Sequence, residues 1–273
     1  MKKNFIFCLL SIFILACSNA NNRQTQSAET DTNVIKIGIS WEREFPLTDI
    51  PEDTQVYIDS IKKVGAEPIL LPQVKNEEDA LNAINMVDAL VMTGGEDINP
   101  KYYNEKPHEK LETPKDDRDL SDYILLKTAI AKDFPVLATC RGMQMLNTVQ
   151  GGTLYQDINS EYKTDISHRD PELIDFEYHA CYIDKDSKLY SMLNTNEIEV
   201  NSWHHQSIEK VGEGLKITAK ASDNTIEGLE LTNAVFVVGV QFHPEWHLAE
   251  NNNEFLPIFE TLKEYGQKYR ESK

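Results

Sequence analysis

The run Phe134-Pro135-Val136-Leu137-Ala138-Thr139-Cys140-Arg141-Gly142-Met143 passes from an apolar β-forming segment, through a turn of small residues, into a helix. Met143, Leu146 and Val149 carry the apolar spacing of that helix onward, with Asn147 beside them. A buried strand that enters a tight turn and leaves as an amphipathic helix lifts the residue at the turn clear of the sheet, the form of a nucleophile elbow. Cys140 occupies the turn. The positive end of the helix dipole favours a thiolate there, and the charge of Arg141 is expected to add to the effect. A small apolar plug beneath the helix is the other use of a buried cysteine at such a place.

Working outward, the same alternation of short apolar runs and amphipathic stretches fills the preceding residues. Val34 to Ser40 reads as a strand and Asp53 to Val64 as a helix closed by Gly65. Glu67 to Leu71 and Ala89 to Met92 read as strands, with Glu77 to Met86 as the helix between them. A further helix is expected from Asp119 to Ala131. Alternation of this kind predicts an α/β fold, a mainly parallel sheet with helices on both faces. Pro100 to Pro114 fits no period and reads as a loop beside the carboxyl edge of the sheet, either part of a site or a plain surface excursion. Beyond Gly151-Gly152 the texture turns to β, in Asp175 to Ile183, Leu215 to Ala221, Ile226 to Leu231 and Val235 to Gln241, before a closing helix at Glu254 to Tyr269.

A thiolate alone does not turn over an amide, because the leaving nitrogen needs a proton and the base needs a fixed tautomer. The run Val237-Val238-Gly239-Val240-Gln241-Phe242-His243-Pro244-Glu245 supplies an imidazole and a carboxylate at the end of an apolar strand, which Pro244 stops. Cys140, His243 and Glu245 are thus the candidate nucleophile, base and orienting carboxylate.

Four segments occur in order: Thr93-Gly94-Gly95-Glu96-Asp97, Thr139-Cys140-Arg141-Gly142-Met143-Gln144, Val200-Asn201-Ser202-Trp203-His204-His205-Gln206 and Gly239-Val240-Gln241-Phe242-His243-Pro244-Glu245. With Arg118-Asp119, His168-Arg169, Tyr178-His179 and Ile226-Glu227, they make the chain resemble the class I glutamine amidotransferases, in particular the stand-alone γ-glutamyl-γ-aminobutyrate hydrolase branch. The resemblance implies a flavodoxin-like three-layer sandwich with added β structure in the C-terminal half, and a thioester acyl-enzyme on Cys140. It implies a small γ-glutamyl conjugate or peptide as substrate, cleaved at a carbon–nitrogen bond, and no cofactor. It puts the oxyanion hole on the backbone N–H groups of Gly95 and Arg141, and substrate binding on His205 and Gln206. Ala138 stands where the family often has glycine and Phe242 where it often has tryptophan; neither change removes a reacting group.

Composition narrows the rest. The chain holds 27 Lys and Arg against 45 Asp and Glu, a formal charge of −18, which repels phosphate backbones and argues against nucleic-acid partners. Lys2 and Lys3 precede an apolar run from Phe5 to Ala16 that suits a secretory signal, and Ile14-Leu15-Ala16-Cys17 resembles a lipobox. Residues 1–17 are therefore expected to be a lipoprotein signal with Cys17 lipidated, residues 18–33 a disordered tether, and residues 34–273 the hydrolase domain. That organisation predicts a protein held by lipid on the bacterial cell envelope, periplasm-facing or at the surface and on the outer membrane in particular, with homodimerisation left open. A Cys140 to Cys181 bridge would abolish the nucleophile. No metal site is expected: His204, His205, His243 and His247 could supply ligands, but HExxH and CxxC spacings are absent and Pro244 is expected to break a helical pair. The competing functions are an inactive binding lipoprotein and a glutaminase subunit that passes ammonia to a partner.

Overall fold

Short apolar runs become strands and the amphipathic stretches between them become helices, in a computed structural model that describes residues 33–41, 50–170, 172 and 174–273. The signal, Cys17 and nearly all of the tether lie outside the described residues. In chain order the first half contains β1 (Lys36–Ile39), α1 (Glu52–Lys63), β2 (Glu67–Leu70), α2 (Glu77–Asn85), β3 (Ala89–Met92), α3 (Asp116–Ala131), β4 (Val136–Thr139) and α4 (Arg141–Val149). The second half adds β5 (Thr153–Tyr155), α5 (Ile158–Glu161), β6 (Glu177–Ile183), α6 (Lys188–Leu193), β7 (Glu197–Ser202), β8 (Ser207–Lys210), β9 (Leu215–Ala221), β10 (Ile226–Leu231), β11 (Val237–Val240), α7 (Pro244–Ala249) and α8 (Leu256–Glu271).

Among the described residues nine strands form one sheet in the order β2-β1-β3-β4-β11-β10-β9-β6-β7, while β5 and β8 pair separately. The half from β2 to β11 is parallel, and its order matches the flavodoxin-like doubly wound pattern with β11 as the fifth strand. From β11 to β7 the pairing is antiparallel, which is the added β structure expected of the C-terminal half.

Two cores cover the two faces, so the strands between them are apolar on both sides. In β3, Ala89 and Val91 face one core and Leu90 and Met92 the other; in β4, Leu137 faces the first and Val136 and Ala138 the second. The first core is closed by Tyr57 and Ile61 of α1, Leu248 of α7 and Phe259 and Leu262 of α8. The second is closed by Ala83 of α2, Leu126 of α3 and Met143 and Leu146 of α4. The three layers follow.

Several elements depart from the expectation. Pro244 does not break a helix but begins α7 at its first turn, where proline costs nothing because the missing N–H would have no acceptor. Helix α3 starts three residues early, at Asp116, with Asp116, Asp117 and Asp119 lying against the positive end of its dipole. Helices α5 and α6 are too short to show a period; local caps hold them, Asp157 accepting from the Ser160 N–H at 3.0 Å and Ser187 from the Tyr190 N–H at 3.0 Å. Residues 100–114 begin with a 3-10 turn at Pro100–Tyr103, and Glu112 of this segment reaches the cavity described below.

Candidate active site

β4 and β11 are parallel neighbours in register, Val240 opposite Thr139. The chain therefore leaves both strands at the same carboxyl edge, where α/β sheets bind ligands. Cys140 is the first residue past β4, and its N–H donates to the Val240 carbonyl at 2.8 Å. Its backbone is at φ 49° and ψ −110°, a region that ordinary L-residues avoid and that a nucleophile elbow holds under strain. The turn closes because α4 sits against the end of β3: a Cβ on Gly142 would fall 2.4 Å from the Met92 carbonyl oxygen.

On one side of Cys140, His243 follows β11 and caps the start of α7. It lies next to Cys140, both residues standing within 3.6 Å of where a Cβ on Gly94 would fall, and its Nδ1–H donates to Glu245 Oε1 at 2.6 Å. Burial opposes protonation of this imidazole most strongly, but Cys140 and Glu245 together outweigh it and hold His243 well above the usual histidine range. Gln241 Nε2 donates to Cys140 Sγ at 3.4 Å.

On the other side, β3 is also in register with β4, and Thr93-Gly94-Gly95 follows it. A Cβ on Gly94 would lie 2.8 Å from His243 Cε1. Gly95 has φ 146°, and a Cβ there would meet Arg118 Nη1 at 2.0 Å. Only glycine lets the backbone come so close to the imidazole at position 94 and to the Arg118 guanidinium at position 95. The Arg141 N–H opens α4, so the helix provides it no acceptor.

The guanidinium of Arg141 does something else. It is 1% exposed and turned beneath α3, where it donates to Asp119 and Asp122 at 2.5 Å each. Its charge is thereby neutralised, so the expectation that it helps the thiolate fails and its backbone N–H is what it offers to the site.

Cys140, Gly95, His243, His205 and Gln206 all border one cavity of about 660 Å³. Trp41, Phe176, Trp203 and Trp246 form apolar walls, while Arg118 and Arg169 stand near Glu96, Asp97 and Glu112. Both nitrogens of His205 are already engaged, Nε2 with Asp97 at 2.9 Å and Nδ1 with Asp157 at 3.4 Å. Burial works against its protonation, but Asp97 prevails and raises it above the ordinary value. Gln206 is nearly buried: its Nε2 donates to the Gln156 carbonyl at 3.3 Å and its own carbonyl accepts from Gln144 Nε2 at 3.2 Å. Cys140 and Cys181 are free thiols, and burial pushes the Cys181 thiol well up.

Two residues were given no role by the sequence. The Asn201 side chain accepts from the His243 N–H at 2.8 Å and donates to the His243 carbonyl at 3.0 Å, so it holds the backbone that carries the imidazole. The Tyr57 hydroxyl pairs with Thr139 Oγ1 at 2.6 Å and accepts from the Gly94 N–H at 3.1 Å, joining both flanks of the turn. Asn201 lies inside a segment the sequence singles out, whereas Tyr57 reads there only as a core position of α1.

Fold and cavity together define the class: an α/β domain of the glutamine amidotransferase type, with a thiol, an imidazole and a carboxylate gathered at the carboxyl edge of its parallel strands. The family described as Peptidase C26 matches residues 37–245, and the chain belongs to this hydrolase family. Protein NtpR of Enterococcus hirae is 35% identical over 226 residues, spanning 80% of this chain and 94% of that one. The γ-glutamyl-γ-aminobutyrate hydrolase PuuD of Escherichia coli is 30% identical over 202 residues, 71% of this chain and 78% of its own. Among solved structures, the glutaminase domain of Trypanosoma brucei CTPS with bound acivicin aligns with a TM-score of 0.59 at 15% identity, over 86% of this chain and 94% of that one. That likeness is one of fold.

Proposed function

We propose that the protein hydrolyses the γ-glutamyl amide bond of small conjugates or peptides, with Cys140 as nucleophile, His243 as acid and base, and Glu245 as the carboxylate that orients the imidazole. The observation that carries the reading is the strained Cys140 lying beside a His243 whose far nitrogen donates to Glu245 at 2.6 Å. The thiolate adds to the γ-carbonyl carbon, and the charge moves to the oxygen, toward the backbone N–H groups of Gly95 and Arg141. The carbon–nitrogen bond then breaks as the imidazolium protonates the departing amine, leaving a thioester on Cys140. Water, deprotonated by His243, attacks the thioester; glutamate leaves and the thiol is regenerated. The paired charges of Arg169 and Glu112, 2.8 Å apart on the cavity wall, suit the carboxylate and ammonium of a glutamyl head.

An electrophilic glutamine analogue tests the assignment. It is expected to leave one covalent adduct, on Cys140, in parallel with loss of hydrolysis of a γ-glutamyl anilide. Absence of both the adduct and the hydrolysis would remove the reading. The positioning role of Asn201 has its own signature. Asn201→Ala is expected to lower kcat about 10- to 100-fold while KM stays near the wild-type value, because a displacement of about 1 Å at the reacting groups has effects of this size. An unchanged kcat, or a loss confined to KM, would show that the two hydrogen bonds to His243 do not act through the imidazole.

A further inference from the structure

The adjacent histidines of the 200–206 segment part company in the fold. His205 borders the cavity among carboxylates, whereas His204 aims its Nε2 at a second cluster formed with His168, His179 and Glu227. These residues come from four separate places: the connection before β6, β6 itself, the link between β7 and β8, and β10. All four are buried, with Glu227 at 0% exposure.

Their polar atoms converge. His168 Nδ1, His179 Nε2 and His204 Nε2 lie 3.9, 3.7 and 3.7 Å from Glu227 Oε1, and the set falls within 4.8 Å of one another. Among the described residues, none of these nitrogens, and neither oxygen of Glu227, has a hydrogen-bond partner. The opposite nitrogens do: His168 Nε2 with Asp223 Oδ2 at 2.9 Å, His204 Nδ1 with the Gln206 carbonyl at 2.9 Å, and His179 Nδ1 with the Ala180 carbonyl at 3.3 Å. Each of those partners is an acceptor, so each outer nitrogen carries the proton and each inner nitrogen presents a lone pair. Three lone pairs and a carboxylate therefore face one another in a buried space where no described residue satisfies them.

We propose that His168, His179, His204 and Glu227 bind one divalent transition-metal ion, zinc by preference, as a closed structural site. Three imidazoles and a carboxylate form a donor set that suits zinc rather than calcium or magnesium, and four protein ligands leave no position open for chemistry. Metal–ligand bonds of about 2.0–2.1 Å in a tetrahedron put ligand atoms about 3.3 Å apart, so the His–Glu227 separations need to shorten by about half an ångström and the widest pair of the set, within 4.8 Å, by at most about 1.5 Å. The Asp223 carboxylate behind His168 is the outer partner that metal-bound histidines use to fix their tautomer. Protonating one imidazole would pair one nitrogen with Glu227 and leave the other two facing each other.

The site has a structural consequence. The His168 carbonyl accepts from the His204 N–H at 3.0 Å and from Ser202 Oγ at 2.8 Å, so an ion here would lock the segment bearing Arg169 and the segment bearing Trp203 and His205 to β6 and β10. Both segments wall the cavity. The ion would shape the substrate pocket without touching Cys140.

The full-length protein, purified without chelators or metal-affinity resin, tests this by elemental mass spectrometry. About one zinc per chain is expected, lost on stripping and regained on addition of Zn²⁺, with Co²⁺ giving the visible absorption of a tetrahedral ion. His179→Ala and Glu227→Gln are expected to lose the ion. Asp223→Asn keeps the stoichiometry and binds about 10- to 100-fold more weakly, which keeps the test sound if the ligand variants do not fold. Cys140→Ala retains the ion. Failure of stripped wild-type protein to take up Zn²⁺, full metal content in both ligand variants, or loss of the metal on Cys140→Ala would each overturn the proposal.

Discussion

Replacing Cys140 by alanine is expected to lower kcat for γ-glutamyl amide hydrolysis by about four to six orders of magnitude, the range found when a hydrolase loses its nucleophile. The size follows from the proposed route, in which no other group can carry the acyl intermediate. The fold should survive, since Cys140 is a small side chain that borders the cavity and belongs to neither apolar core, and truncations of this kind change stability by about 1 kcal/mol. Steady-state kinetics beside a urea melt check both halves. A kcat within tenfold of wild type in a folded Cys140→Ala protein would end the nucleophile assignment, and the zinc proposal would stand untouched because it shares no residue with it.

The second large effect belongs to Glu245→Gln. The carboxylate accepts from His243 Nδ1 at 2.6 Å and is itself fully buried, so the amide preserves shape while removing charge. An amide can also present its NH₂ to Nδ1 and favour the wrong tautomer, and a loss in kcat of about three to four orders of magnitude is expected, as for the corresponding change in the serine protease triad. The pH profile supplies an independent readout. Burial disfavours the imidazolium, and Cys140 and Glu245 restore it, so His243 stays protonated beyond the ordinary histidine range. The leaving amine needs that proton, and activity should therefore fall only as the pH rises through the raised value of His243. Removing the Glu245 charge lowers that value, so the alkaline limb of Glu245→Gln should move to lower pH. An alkaline limb that stays in place would mean Glu245 does not act on His243 electrostatically.

Much of this site lies in contiguous chain and could be read there. The passage from Val136 through Cys140 to Leu146 has its strand, turn and helix in one stretch, and the structure reproduces it because each step is a local preference. The run ending in His243-Pro244-Glu245 is equally local, although Pro244 opens a helix rather than forbidding one. Readings that depended on where a side chain turns fared less well. Arg141 stands beside the sulfur in sequence, yet its guanidinium lies beneath α3 between Asp119 and Asp122. His204 and His205 are neighbours, yet one joins Glu227 and the other Asp97.

The alternating strands and helices of the first half, the turn at Cys140 and the presence of an imidazole and a carboxylate after β11 were properties of the sequence alone, since periodicity and turn chemistry act over a few residues. Tertiary structure alone brought Asn201 to the His243 backbone, Tyr57 to Thr139 and Gly94, and His168, His179, His204 and Glu227 around one point. Those groups are between 11 and 82 residues apart in the chain, and their meeting depends on which strands the sheet sets side by side, an arrangement that local preferences do not encode.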